Sequence, residues 1–173
     1  MSEKEPLRIA YADPPYLGQA ARRYGDPTYD NVDEHASLFR RLDADFDGWA
    51  YSLGATMAEV KALAPYFPDD ARLGAWVKPF AVFKPGVNPA YAFELVVFKP
   101  ARRRGRDLPT VRDWVSANIT LKKGLTGAKP EAFSFWIFEI LGAQPHDEFV
   151  DLFPGTGAVT EAWKKWCELK QDA

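Results

Sequence analysis

The sequence contains a single cysteine, Cys167, which excludes an intrachain disulfide. Histidine is almost as scarce. His35 and His146 lie far apart, without the cysteine or acidic spacing of a metal site, so no metal is predicted and both are interpreted as surface or capping residues. No apolar run approaches the length of a membrane span, so no membrane partner is predicted. The segment from Met1 to Pro6 is polar and acidic rather than a secretion signal, which predicts a cytoplasmic protein.

An excess of positive charge is also missing. The net charge is −2, which excludes a generally basic nucleic-acid binder, so any such contact has to come from a local patch. The length of 173 residues predicts one domain, residues 1–173, with a substantial core. Aromatic residues make up 14% of the chain, and most of them are expected in that core.

Apolar patterns predict strands and helices in alternation. The predicted strands are Leu7 to Ala12, Trp49 to Leu53, Leu73 to Val77, Tyr91 to Phe98 and Phe149 to Phe153. The predicted helices are Asp33 to Leu42 with Asp33 as N-cap, Thr56 to Phe67 with Thr56 as cap, Glu131 to Leu141 and Ala158 to Leu169. Between them, Gly18 to Asn31 is predicted to be a long loop of the kind that often carries function.

The order of these elements predicts an α/β sandwich around a mostly parallel sheet, with an antiparallel hairpin at one edge. The hairpin is predicted from the turn composition of Lys84 to Pro89. The strand from Tyr91 to Phe98 is expected to be internal, because it is apolar on both faces apart from Glu94. Four Lys-Pro pairs are interpreted as turn signals rather than a structural repeat; they begin at Lys78, Lys84, Lys99 and Lys129.

The first strand leads into Asp13-Pro14-Pro15-Tyr16. A proline turn after a strand is the ordinary interpretation of this motif. In a functional interpretation, the Asp13 carboxylate and the Pro14 carbonyl each accept one hydrogen of an exocyclic amino group, which frees the nitrogen lone pair for attack. Pro14 and Pro15 fix the direction of the backbone. Tyr16 stacks on the base, which has to be flipped out of a duplex.

The last strand leads into Asp151-Leu152-Phe153-Pro154-Gly155-Thr156-Gly157 and then a helix. Glycines let the backbone turn sharply and approach a ligand, and a helix N-terminus offers N–H groups to a carboxylate. Asp151, at the strand end, is placed to hold an ammonium group. S-adenosylmethionine carries both groups and is the predicted cofactor. Phosphate binding is less favoured, because no Gly-Lys-Ser/Thr follows.

In this order the motifs resemble those of the DNA amino-methyltransferases in their circularly permuted, beta-type arrangement, where the catalytic motif precedes the cofactor motif. Asp13-Pro14-Pro15-Tyr16 resembles the catalytic motif, and the segment from Asp151 to Gly157 resembles the family's Asp-x-Phe-x-Gly-x-Gly. The segment from Gly127 to Pro130 resembles the Lys-Pro segment that lines the cofactor pocket. The strand from Tyr91 to Phe98 resembles the family's late aromatic strand less specifically. The two chain ends are therefore expected to fold side by side around a shared cleft.

The resemblance implies a compact, circularly permuted, Rossmann-like methyltransferase domain that uses S-adenosylmethionine. It implies catalytic roles for Asp13, Pro14, Pro15 and Tyr16. The implied cofactor-binding residues are Ala12, Lys129, Pro130, Asp151, Phe153, Gly155, Thr156 and Gly157. An Asp at the first catalytic position fits adenine better than cytosine, for which Ser is common.

Two features depart from the family pattern. The family follows its cofactor helix with a strand whose end carries an acid for the ribose hydroxyls, and Glu168, on or just after the helix of this chain, is a poor substitute. The length leaves no room for a separate target-recognition domain, so specificity is expected from the loop Gly18 to Asn31, a basic loop or a partner. Such a compact build fits a small phage or prophage enzyme, acting in a bacterial or phage-infected cell.

The local basic patch is the loop with Arg102, Arg103, Arg104 and Arg106, to which Lys122 and Lys123 are added as an extension. Guanidinium groups suit a phosphate backbone, so these residues are predicted to contact nucleic acid, with a solvated loop as the alternative. Asp26 and Tyr29 are candidates for the base pocket and equally for an ordinary turn.

The leading hypothesis is methyl transfer from S-adenosylmethionine to the adenine amino group in DNA. A second hypothesis keeps the chemistry and changes the acceptor to cytosine, RNA or a protein amide. A third is a methyltransferase-like subunit that binds nucleic acid or supports a partner without strong catalysis. The oligomeric state is left open between monomer and homodimer.

Overall fold

The computed structural model describes residues 5–80, 85–120 and 128–172. Their strands are β1 Arg8–Ala12, β2 Gly48–Leu53, β3 Arg72–Val77, β4 Phe93–Lys99, β5 Trp114–Ser116 and β6 Glu148–Asp151. Their α-helices are α1 Ala20–Tyr24, α2 Val32–Asp45, α3 Met57–Leu63, α4 Glu131–Leu141 and α5 Ala158–Gln171, and short 3-10 turns lie at Thr28–Asp30 and Ala64–Tyr66. None of the helices formed by these residues has the length and apolar character needed to cross a bilayer.

The described strands form one sheet in the order β5-β3-β4-β2-β1-β6. β1 pairs in parallel with β2 and β6, β3 pairs in parallel with β5, and β4 runs antiparallel to both of its neighbours. This confirms the predicted α/β class with a mostly parallel sheet and an antiparallel pair, β3 and β4. The pair lies one strand in from the edge, because β5, which the sequence pattern did not predict, adds to the outer side of β3.

Two apolar cores lie on opposite faces of this sheet. α4 and α5 cover one face, where Phe133 of α4 and Trp166 of α5 belong to the same cluster. α2 and α3 cover the other face, where Phe39 and Leu63 pack with Trp49 of β2. Because both faces are covered, the central strands β1 and β2 consist of nearly continuous buried residues.

Helix α2 begins at Val32, and its cap differs from the prediction. The Asn31 side chain accepts a hydrogen bond from the Asp33 backbone N–H at 2.9 Å, so the prediction of Asp33 as N-cap is wrong. Asp33 lies in the first turn, where a negative charge favours the helix dipole. Thr56 caps α3 as predicted, through a 3.3 Å bond from the Glu59 N–H.

The segment of residues 18–31 is more ordered than the predicted loop. It holds α1 and a 3-10 turn, and Asp30 joins them, because its carboxylate accepts hydrogen bonds from Ala20 N–H at 2.8 Å and Ala21 N–H at 2.9 Å. Gly25 ends α1 in the left-handed region, with φ of 75°. A helix of five residues is too short for a periodic apolar pattern, which explains why the sequence predicted only a loop.

His35 is fully buried, so its interpretation as a surface or capping residue is wrong. Its Nε2 lies 2.8 Å from the Tyr29 carbonyl oxygen, and its Nδ1 bonds to the Tyr51 hydroxyl. A carbonyl only accepts, so Nε2 carries the hydrogen and Nδ1 accepts from Tyr51. The His146 side chain is about half exposed, in agreement with the prediction.

Candidate active site

The two sequence motifs meet at one edge of the sheet. β1 leads into Asp13, and its parallel neighbour β6 ends at Asp151, with Tyr11 and Asp151 paired in register. The pairing continues beyond the strand, because the Leu152 N–H donates to the Tyr11 carbonyl at 2.9 Å. Ligands of open α/β sheets bind at the carboxyl ends of such strands. The expectation that the two chain ends fold side by side is confirmed.

Lys129 lies between two carboxylates of this site. Its ammonium nitrogen is 3.1 Å from an oxygen of Asp13 and 3.1 Å from an oxygen of Glu94, and its side chain is 7% exposed. The same nitrogen lies 5.3 Å from the ring centroid of Trp76 and 5.6 Å from that of Phe133. Burial alone would lower the pKa of Lys129, but the neighbouring acidic groups hold it well above its usual value, so Lys129 is charged.

Opposing influences act on the carboxyl group of Asp13. Burial is the largest and raises the pKa of Asp13, while the Lys129 ammonium lowers it and the Glu94 carboxylate raises it again. The net result is a raised pKa, so Asp13 takes up a proton more readily than an exposed aspartate does. Its ionised form therefore depends on Lys129.

Glu94 is a functional candidate that the sequence predictions missed. Its carboxylate accepts hydrogen bonds from the Tyr16 hydroxyl at 2.6 Å, from Lys129 at 3.1 Å and from Lys78. Burial alone would raise the pKa of Glu94, but Lys129 and Lys78 lower it to about 2, so Glu94 is ionised at neutral pH. The available signal was one charged residue in an otherwise apolar internal strand.

Two of the Lys-Pro pairs supply the cations of the site. Lys78 directly follows β3, and Lys129 precedes Pro130, the N-cap residue of α4. Their role therefore goes beyond the turn signals that the sequence suggested. Lys99 ends β4 at the other edge of the sheet, and Lys84 lies outside the described residues.

Tyr16 is held by contacts to its hydroxyl and its ring. The hydroxyl donates to Glu94, and burial raises the pKa of Tyr16 well above its usual value, so the phenol is neutral. A Cβ atom at Gly54 would lie 3.4 Å from Cδ2 of Tyr16 and would collide with Oε2 of Glu59. Glu59 is itself 6% exposed, and burial raises its pKa while the nearby backbone N–H groups of Gly54 and Leu17 lower it.

The turn after β6 depends on two glycines on either side of Thr156. Gly155 has φ of 48° and Gly157 has φ of 78°, a region in which other residues are strained. Gly157 is the N-cap residue of α5, and no side chain of a described residue caps this helix. The first N–H groups of α5 are therefore available to an anion.

Asp151 is oriented by its own neighbours. Its carboxylate accepts hydrogen bonds from the Phe153 N–H and from the Thr160 hydroxyl, each at 3.3 Å. Burial raises the pKa of Asp151, and the charge of Asp13 raises it further. The charge of Asp13 therefore reaches Asp151 across the adjoining strand ends.

The two loop candidates have different surroundings. The ring of Tyr29 meets the ring of Phe153 edge-on, with the centroids 5.2 Å apart, so Tyr29 borders the glycine turn. Asp26 is exposed and accepts a hydrogen bond from the Thr28 N–H at 2.9 Å. This is an ordinary turn contact, and it gives Asp26 a structural reason to be present.

A cavity of about 750 Å³ opens beside the glycine turn. Its lining includes Lys129 and Thr156 from the site and Glu168 from α5. This volume is within the range of small-molecule sites. Ala12, by contrast, is fully buried in β1 and supports the site from behind.

The predicted nucleic-acid contacts are not gathered at this site. The group of four arginines follows β4, which runs antiparallel to β2, and therefore lies at the opposite edge of the sheet from Asp13. This group consists of Arg102, Arg103, Arg104 and Arg106. The other two, Lys122 and Lys123, lie outside the described residues.

No protein-family model and no curated protein sequence matches this chain. Solved structures match over nearly its whole length. The structure of M1.HpyAVI in complex with SAM has a TM-score of 0.60 at 16% identity, covering 93% of this chain and 78% of that one. TTHA0409 from Thermus thermophilus, a candidate DNA modification methylase, has a TM-score of 0.54 at 16% identity, covering 94% and 79%. At these identities the likeness shows a shared fold, which is the Rossmann-like sandwich predicted from the sequence.

Proposed function

We propose that this protein is an S-adenosylmethionine-dependent DNA methyltransferase that methylates the exocyclic amino group of adenine. The observation that carries the proposal is the register of β1 and β6, which brings the Asp13 carboxylate and the glycine turn after Asp151 to one edge of the sheet. An amino-group site and a site for an amino-acid-bearing cofactor are then neighbours. The fold shared with M1.HpyAVI, solved with SAM, and with TTHA0409 supports the proposal.

The residues around the glycine turn fit S-adenosylmethionine. The uncapped N-terminus of α5 suits the cofactor's carboxylate, and the partly buried carboxylate of Asp151 suits its ammonium group. When bound, S-adenosylmethionine supplies an electrophilic methyl group. The pocket would be completed by Lys129, Pro130, Phe153, Gly155, Thr156 and Gly157, with Ala12 buried behind it.

The residues after β1 would prepare the acceptor nitrogen. In the proposed reaction, the Asp13 carboxylate accepts one amino hydrogen of adenine and the Pro14 carbonyl accepts the other, so the nitrogen lone pair is freed from the ring. Pro15 keeps the backbone direction fixed. Tyr16 stacks on the base, and its hydrogen bond to Glu94 limits the motion of the ring. A base in duplex DNA has to be flipped out to reach this site.

One observation favours a second function. Lys129 lies 3.1 Å from Asp13, so an acceptor oxygen of the proposed catalytic carboxylate already has a partner. A methyltransferase-like subunit that binds nucleic acid without catalysis would keep this carboxylate in such an ion pair. Methyl transfer requires Asp13 to keep the Lys129 contact at one carboxylate oxygen and to accept the amino hydrogen at the other.

Transfer of a tritiated methyl group to duplex DNA, followed by digestion to nucleosides, tests the proposal. We expect the label in the methylated adenine nucleoside. Label in the cytosine nucleoside would change the acceptor, and label only in an RNA substrate would change the polymer. Calorimetric titration with S-adenosylmethionine completes the test, since no label together with no heat at millimolar ligand would favour the binding subunit.

A further inference from the structure

A second charged region lies at the opposite edge of the sheet from the candidate active site. A cavity of about 580 Å³, which we call the arginine cavity, opens between the end of β4, the chain that follows it and Ile140 of α4. Asp113 is the single carboxylate residue among its described lining residues. The cavity is lined by six arginines: Arg72, Arg102, Arg103, Arg104, Arg106 and Arg112.

Three of these arginines have carboxylate partners. Arg102 donates from Nη2 to Asp147 Oδ1 at 2.6 Å, and Arg104 pairs with Glu139 at 2.7 Å. Nη2 of Arg72 lies 4.0 Å from Oδ2 of Asp113. The guanidinium groups of Arg102 and Arg104 are therefore largely neutralised by the protein itself, whereas the Arg72 pair is long and exposed.

The other three arginines are exposed, and none of them has an ion pair with a described residue. They are Arg103, Arg106 and Arg112. The guanidinium carbon of Arg112 lies 5.4 Å from the ring centroid of Trp114, which limits its motion without neutralising its charge. Within the described part of the chain, the cavity thus presents three positive charges that lack a carboxylate partner.

Backbone contacts hold the wall that carries these charges. A Cβ atom at Gly142 would lie 2.8 Å from the Arg102 carbonyl oxygen, so the chain after β4 packs closely against the end of α4. Arg104 donates to the Pro109 carbonyl at 3.1 Å, which closes the loop on itself. The paired arginines therefore build the framework, and the unpaired ones are left to meet a ligand.

The arginine cavity is separate from the candidate active site. Lys99, the last residue of β4, pairs in register with Trp49 near the start of β2, whereas Asp13 follows the end of β1. β1 and β2 are parallel, so these two positions lie at opposite ends of strands of five and six residues. At about 3.3 Å per residue, the two ends are roughly 17–20 Å apart.

We propose that the arginine cavity binds a phosphate ester, carried either by a free nucleotide or by a nucleic-acid strand. Planar guanidinium groups bind phosphate oxygens through paired N–H donors, which the three arginines without a carboxylate partner leave available. The apolar part of the wall includes Phe98, Leu108 and Ile140 and provides a surface for the attached base or sugar. The cavity volume is in the range of nucleotide-sized ligands. This site does not depend on the proposed methyl transfer.

Fluorescence anisotropy with labelled octathymidylate tests the proposal, because thymine has no exocyclic amino group for the candidate active site. The test variant is R103Q/R106Q/R112Q, which spares the framework arginines. The matched control is R40Q/R41Q/K61Q, which removes equal charge from exposed positions on α2 and α3. We expect the test variant to bind about tenfold more weakly than the wild type. The slope of its log binding constant against log salt concentration should be shallower by about 2, while the control changes affinity less than about twofold.

Competition then identifies the source of the phosphate ester. Displacement of the labelled strand by thymidine monophosphate assigns the cavity to free nucleotides, and displacement only by unlabelled strand assigns it to nucleic acid. Circular dichroism checks that the variants keep the fold. The proposal is overturned if the wild type does not bind the labelled strand, if the test variant binds it as tightly as the wild type, or if the control loses as much affinity as the test variant.

Discussion

The ammonium group of Lys129 lies 3.1 Å from the carboxylate of Asp13, at the edge of the sheet where the two sequence motifs meet. Glu94 competes for the same ammonium group from an equal distance of 3.1 Å. The charge state of Asp13 therefore depends on the Lys129 ammonium group, which Asp13 shares with Glu94. This relationship makes the proposed acceptor carboxylate sensitive to two residues outside the catalytic motif.

Asp13→Asn tests the acceptor role directly. Asparagine has the same size but directs N–H donors where the proposed reaction needs an acceptor, so we expect methyl transfer to fall by about a hundredfold or more. Lys129 keeps its contact with Glu94 in this variant, so the fold should survive. Asp69→Asn, at an exposed position, is the matched control. Undiminished transfer of labelled methyl groups by D13N would contradict the proposed mechanism.

Glu94→Gln and Lys129→Met should shift the pH profile of methyl transfer in opposite directions. The Glu94 charge raises the pKa of Asp13, and the Lys129 charge lowers it. Activity that needs ionised Asp13 is lost as the pH falls through the pKa of Asp13. The acid limb should therefore move to lower pH in E94Q and to higher pH in K129M.

The direction of the shift separates this electrostatic effect from general damage to the site. General damage to the site would lower the rate of methyl transfer in both variants without shifting the acid limbs of their pH profiles in opposite directions. Where a variant is too slow to assay, carbon NMR of labelled aspartate follows the ionisation of Asp13 itself. Parallel shifts in both variants, or none in either, would contradict the assigned roles of Glu94 and Lys129.

Two arginines one position apart should differ sharply in their effect on stability. Arg102→Met leaves the buried carboxylate of Asp147 without its guanidinium partner, which is expected to cost about 3 kcal/mol of unfolding free energy. Arg103→Gln removes an exposed charge that has no ion pair with a described residue, so stability should hardly change. Urea unfolding measures both. Equal stabilities of the two variants would remove the distinction between framework and unpaired arginines.

This difference between neighbours also shows what the sequence pattern could not supply. The run of arginines indicates an affinity for phosphate at all four positions, yet Asp147 and Glu139 neutralise two of them. Both acids lie far along the chain, and only the packing of α4 and β6 brings them close. Glu94 was missed for the same reason, because its partners come from three other segments.

Helices and strands whose ends are marked by local sequence signals were predicted well. The predicted helix from Glu131 to Leu141 has the observed bounds, since apolar spacing fills it, Pro130 precedes it and Gly142 ends it in the left-handed region. β5 has three partly exposed residues and owes its strand geometry to pairing with β3, so no local pattern revealed it. Asp13 and Asp151 were brought together correctly, because Asp13 follows β1 and Asp151 ends the parallel neighbouring strand β6.

His35 links the segment of residues 18–31 to the core and should make stability depend on pH. Burial lowers the pKa of His35 from 6.5, so the unfolded chain binds this proton more readily. The stability contributed by neutral His35 is complete above pH 6.5 and is lost as the pH falls below that value. We expect His35→Gln to remove this part of the pH dependence, and His146→Gln, at a half-exposed site, to retain it. Thermal unfolding between about pH 7 and 5 measures it, and identical slopes in wild type and H35Q would contradict the prediction.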